Sequence, residues 1–239
     1  MLVDIFIPCF IDQIYPETGM NMVKVLEKLG QDVNYNGNQT CCGQMAFNSG
    51  FWDDAKKMGE KFLKDFPNDR LIVGPSASCI SFIRNYYPWL FHNTAYHLEY
   101  KQLKKNCFEF TDFLVNVLKI EDVGATFDHV VTYHDSCAAL REYGLTDEPR
   151  RLLRNVKGLE LREMKENEVC CGFGGTFSVK FEPISTAMAE QKIQNALETG
   201  AEYIVSTDSS CLMQQQSYID KHQLPIKTIH IIDILASGW

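Results

Sequence analysis

Short apolar, β-branched runs alternate with longer stretches in which apolar residues return every third or fourth position. LVDIFI (2–7) reads as a buried first strand, 17–29 as a helix, and DVNY (32–35) as a second short strand. In DDAKKMGEKFLKDF, Ala55, Met58, Phe62 and Phe66 fall on one helical face, and Pro67 with Asn68 stops that helix. LIV (71–73) is the next strand, the chain past Cys79 turns helical, and 99–105 forms another helix. The order then recurs. HVVTY and LELR read as strands, Ala189, Ile193, Ala196 and Leu197 line a helix ended by Gly200, and YIV is again a strand. Strands separated by helices of about a dozen residues indicate α/β layers with mainly parallel sheets.

The repetition extends to the text itself. VDIFIPC pairs with HVVTYHDSC, RLIVGPSASC with EYIVSTDSSC, and FEFTDFL with IHIIDIL. Two Rossmann-like lobes are expected, 1–120 and 121–239, with DVGATFD as the joint. The cysteines keep the same time. Cys9, Cys41-Cys42-Gly43 and Cys79 are separated by 31 and 36 residues; Cys137, Cys170-Cys171-Gly172 and Cys211 by 32 and 39. Only Cys107 is left over. Cysteines that follow strands belong at the carboxyl edge of a parallel sheet, where open α/β folds place their ligands. The Cys-Cys-Gly turns, lying between a strand and a helix, reach the same edge. Gly43 and Gly172 give the turn a backbone freedom that a Cβ would obstruct, and N–H groups in such a turn stabilise anionic sulfur.

Composition narrows the chemistry. The 239 residues carry 45% hydrophobic and 23% charged residues and a net charge of −8, so a nucleic-acid backbone is not the expected partner. No apolar run approaches the ~20 residues that a bilayer requires. MLVDIFIPCF contains Asp4 and lacks a basic start, which makes it a strand rather than a signal peptide. A reducing cytoplasm is therefore the expected location; peripheral membrane association stays open. Nine cysteines there point to metal, redox chemistry or plain burial rather than scaffolding disulfides. All-sulfur sites suit zinc or iron–sulfur. The close C-x₂-C pairs of structural zinc are missing, as is the ferredoxin run, and a disulfide between neighbouring cysteines is geometrically strained. Iron–sulfur leads among these readings, with a structural zinc scaffold as the alternative.

On these motifs, across essentially its whole length, the chain resembles the CCG-domain (cysteine-rich domain) iron–sulfur proteins. Within them it is similar to the small cysteine-rich subunits of bacterial L-lactate utilisation (the LutA/YkgE group), and more distantly to those of heterodisulfide reductase. The resemblance implies an iron–sulfur electron-transfer subunit of an oxidoreductase that converts L-lactate to pyruvate. It implies one cluster per lobe, [4Fe–4S] in type, bound by Cys9, Cys41, Cys42, Cys79 and by Cys137, Cys170, Cys171, Cys211. A ferredoxin-like iron–sulfur subunit and a third small subunit are the implied partners. Thiol–disulfide reduction is a further alternative, but the full family motif closes each lobe with C-x-x-C. Here the first cysteine of that pair is Ser76 in one lobe and Asp208 in the other. Both are expected as turn or helix-cap residues, with Asp208 also considered as an oxygen ligand. His134 and Asp135 directly precede Ser136-Cys137, and His134 is a candidate supporting or extra ligand. No G-x-G-x-x-G nicotinamide motif is evident. GQMAFNSG after one Cys-Cys and GFGGTFSV after the other indicate that the lobes are not equivalent.

Overall fold

In the computed structural model, which describes residues 1–67 and 69–239, the apolar runs pair into two four-stranded sheets. β1 (Leu2–Ile5), β2 (Asp32–Tyr35), β3 (Ile72–Gly74) and β4 (Cys107–Glu109) form the first, in the order β2-β1-β3-β4. β5 (Val130–Tyr133), β6 (Glu160–Leu161), β7 (Tyr203–Ser206) and β8 (Lys227–His230) repeat that order as β6-β5-β7-β8. Every pairing is parallel, so each connection is a crossover carrying helix. The registers match as well. Phe6 N–H donates to Val73 O at 2.9 Å and His134 N–H to Val205 O at 2.8 Å, so the two residues occupy equivalent places.

The expected helices are present with shifted ends: Pro16–Lys28, Trp52–Asp65, Ala77–Phe91, His97–Asn106, Glu182–Leu197 and Ser209–His222. The helix stop expected at Asn68 lies outside the described residues. No described helix is long and apolar enough to cross a membrane.

One apolar core joins the halves. Val3, Met22 and Leu26 from the first half share a buried cluster with Val131, Leu152 and Ile231 from the second. The elements after the last strand of each sheet cross over to make this join. Segment 110–117, whose last turns are π-helical over Phe113–Val117, packs against helix Glu148–Arg154; helix Ile231–Leu235 packs against Pro16–Lys28. Asp233 fastens the second crossing by accepting from Thr18 Oγ1 and Asn21 Nδ2, each at 2.9 Å.

FEFTDFL and IHIIDIL hold these crossings, with different caps. Glu109 takes hydrogen bonds from the N–H groups of Thr111 and Asp112, whereas His230 Nδ1 accepts from Ile232 N–H. The cap is thus acidic only in the first lobe. Glu109 is wholly buried, and burial raises its carboxyl to about 8. A raised folded-state value means that the native protein holds a proton the unfolded chain releases. That stability is complete below about 4.5 and is lost as pH climbs toward 8. Glu109→Gln is expected to flatten this decline; parallel thermal melts from pH 5 to 8 should show the wild type losing more Tm than the variant.

Candidate metal centres

Each strand end delivers its cysteine. Cys9 starts helix Cys9–Ile14 just beyond β1, and Cys137 immediately precedes the π-helical turn Ala138–Tyr143 beyond β5. Cys79 and Cys211, each following a small-residue turn, stand in the first turns of helices Ala77–Phe91 and Ser209–His222. These helices start early because Ser76 and Asp208 are extended N-cap residues.

The Cys-Cys-Gly turns are built alike. Gly43 (φ +95°) and Gly172 (φ +89°) are left-handed, and each ends its turn against the following long helix. A Cβ on Gly43 would stand 3.1 Å from Ala55 O, and one on Gly172 2.5 Å from Ser185 O. Each glycine N–H donates to the sulfur two residues earlier, Cys41 or Cys170, at 3.4 Å. The two constraints, positive φ and close approach, together require glycine.

Four sulfurs meet in each half. Cys9, Cys41, Cys42 and Cys79 line a cavity of about 150 Å³; Cys137, Cys170, Cys171 and Cys211 line one of about 180 Å³. The cavities adjoin, with Gln44, Met45, Ser78, Phe173 and Ser210 lining both. Each quartet is therefore roofed by residues of the other half. Crowding sets the acidity. Cys41 is held down to about 3 by hydrogen bonds from Cys42 and Cys9, and Cys170 to about 2 by those from Cys137 and Cys171. The donors Cys9, Cys42, Cys137 and Cys171 are pushed up in turn, first by giving those bonds. Cys211 is lowered as well, to about 6, first by a hydrogen bond from Cys171. Thiolates ringed by thiols are a donor set from which a soft cation or cluster displaces protons. Cys107 stays apart, buried in β4 among aromatic residues, where desolvation raises its thiol to about 12.

Ser76 and Asp208, at the sites of the missing cysteines, meet each other. Ser76 Oγ donates to Asp208 Oδ1 at 3.0 Å, and Ser78 N–H donates to the same oxygen at 3.0 Å. Ser76 caps its own helix by accepting from Cys79 N–H. Asp208 makes no cap bond in its own helix and caps the opposite one instead, a role its helix-start position did not suggest. His134 is fully buried, and neither ring nitrogen has a hydrogen-bond partner. Its imidazole and the sulfurs of Cys171 and Cys211 lie within 4.8 Å of one another, a ligand group for a metal ion. Asp135 is paired with Arg150 at 2.7 Å.

A residue that sequence reasoning missed is Lys192. It is 1% exposed, and its ammonium donates to the carbonyls of Glu166 and Asn167, just ahead of Cys170. Its place on an amphipathic helix gave no signal; only the alignment of the two halves through Met58 and Met188, which both touch the Cys-Cys-Gly glycine, exposes it.

The cysteine-rich domain (CCG) family model matches residues 3–84 and 131–216, one copy on each quartet. The chain belongs to the CCG cysteine-rich domain family. Lactate utilization protein A of Bacillus licheniformis is 42% identical over 238 residues, covering 99% of this chain and 100% of that protein. The Geobacillus kaustophilus protein of the same name is 42% identical over 236 residues, covering 98% of each. A solved structure of a hypothetical protein from Helicobacter pylori covers all of this chain and 49% of its own, at TM-score 0.57 and 10% identity, a likeness of fold alone.

The turn geometry yields a stability test. Gly172→Ala must pay for left-handed backbone, about 1–2 kcal/mol, and for a shorter contact than Gly43→Ala meets. Urea unfolding is expected to rank Gly172→Ala below Gly43→Ala, with both below the wild type.

Proposed function

We propose that this chain is the iron–sulfur electron-transfer subunit of a nicotinamide-independent oxidoreductase that converts L-lactate to pyruvate. The observation that carries it is the pair of four-sulfur cavities, one in 1–120 and one in 121–239, in a chain 42% identical end to end to a lactate utilization protein. Four cysteine sulfurs match the ligand count of a [4Fe–4S] cluster. Cys9, Cys41, Cys42 and Cys79 would hold one, and Cys137, Cys170, Cys171 and Cys211 the other, with His134 against the second. The clusters would supply reversible one-electron transfer.

The chain's own residues do the rest. The glycine N–H groups stabilise the sulfur charge, the opposite half roofs each cavity, and Ser76 with Asp208 fixes the two helices that carry Cys79 and Cys211. Oxidation of lactate to pyruvate releases two electrons and two protons, and two one-electron centres match that count. Among the described residues, the cavity linings hold no lysine or arginine, and Glu142 is their one acidic side chain. Such a lining does not suit a carboxylate, which favours electron transfer here and lactate binding on a partner. A ferredoxin-like subunit and a third small subunit are the partners this assigns, and the reducing cytoplasm is the compartment that keeps the thiols free. The zinc-scaffold reading shares the sulfurs but gives no role to two adjoining cavities. Heterodisulfide-type reduction is disfavoured because Ser76 and Asp208 bond each other.

Protein purified without air is expected to be brown, with iron and acid-labile sulfide in equal amounts, and to give an EPR signal on dithionite reduction. Colourless protein carrying zinc and silent on reduction would overturn the proposal.

A further inference from the structure

We propose that Lys192 holds the centre of the second lobe at a higher reduction potential than that of the first, so that the first electron entering the oxidised protein settles in lobe two. The inference rests on the iron–sulfur reading above and concerns which of the two sites takes the electron.

The two cavities have the same sulfurs and unlike backs. Behind the first stands a dry aromatic wall. Phe6 and Phe62 meet edge to face at 4.9 Å, and Phe66, Phe82 and Tyr87 continue it. The places of Phe6 and Phe62 are taken in the second lobe by His134 and Lys192. The first equivalence follows from the strand register. The second follows from the long helices, where Met58 and Met188 touch Gly43 and Gly172 and the residue one turn on is Phe62 or Lys192. Both replacements are buried, and both put polar groups where the aromatic wall has carbon.

An added electron makes a centre more negative. A buried cation stabilises that charge far more than an exposed one does, because little water screens it. Lys192 is such a cation: its ammonium donates to two neutral carbonyls, burial lowers it only to about 8, and the two carboxylates that act on it, Asp135 and Glu166, are themselves engaged by Arg150 and Asn195. His134 acts in the same direction, since its ring nitrogen lies within 4.8 Å of the sulfurs of Cys171 and Cys211, where an N–H turned to sulfur favours added negative charge. Asp208 opposes both. Its Oδ1, however, is already bound by Ser76 Oγ and Ser78 N–H at the amino end of the 15-residue helix Ala77–Phe91, whose dipole offsets the charge. Nearby Asp135 is neutralised by Arg150, which grips both of its oxygens at 2.9 and 2.7 Å. Glu142, which lines the second cavity alone, also opposes Lys192, but burial raises its carboxyl toward the neutral form and it accepts from Ser81 Oγ and Tyr86 OH, which leaves the second lobe biased positive relative to the first.

The test is a potentiometric titration of the anaerobic holoprotein followed by EPR, with the two signals assigned through Cys41→Ser and Cys170→Ser. The signal lost in Cys170→Ser is expected to appear first, with at least a tenfold preference, ~59 mV for one electron. Lys192→Met should lower the potential of that signal alone, and Lys192→Arg should keep it. A purely structural clamp on the 166–167 loop would alter iron content and leave the potential of the remaining centre unmoved. If Lys192→Met fails to hold iron in lobe two, the order in the wild type decides. Lobe two first supports the proposal; simultaneous reduction, or lobe one first, overturns it. Wild-type protein without iron would instead refute the cofactor reading.

Discussion

Neighbouring side chains on an extended chain point apart, and the chemistry of this protein depends on making two of them point together. The Cys-Cys-Gly turn does this with a left-handed glycine that presses against a helix carbonyl and donates its N–H back to sulfur. Nothing with a Cβ fits at the tighter of the two turns without displacing backbone. The long helices Trp52–Asp65 and Glu182–Leu197 are therefore part of the site, although they contribute no sulfur. Parallel sheets then bring two more cysteines to the same edge, because crossover connections put every strand end on one side.

Duplication supplies more than a second copy. The halves are pinned through one apolar core, through exchanged packing of the segments after β4 and β8, and through the Ser76–Asp208 hydrogen bond between the helix starts. Positions that hold a fifth cysteine in the full motif have been given over to joining the halves. Each cavity is closed by the other half, so separating the lobes would open both.

Much of this was legible in the sequence, and the legible parts share a cause. Strand alternation, the cysteine rhythm and the glycine after each pair are local or periodic features, and local sterics dictate them. What escaped reading depends on contacts between distant segments. Asp208 looks like the cap of its own helix and caps the one that starts at Ala77, because the two helix starts meet only after folding. Lys192 lies on a helix face that periodicity marks as core, where a buried ammonium becomes intelligible only once the carbonyls of Glu166 and Asn167 are seen to receive it.

The central claim is that each sulfur quartet binds one cluster. Native mass spectrometry of anaerobic protein tests it most directly, comparing the wild type with Cys41→Ser and Cys170→Ser. The account predicts two cluster-sized mass increments in the wild type and one in each variant. A wild type that carries no iron–sulfur increment, or a single variant that abolishes both, would contradict it.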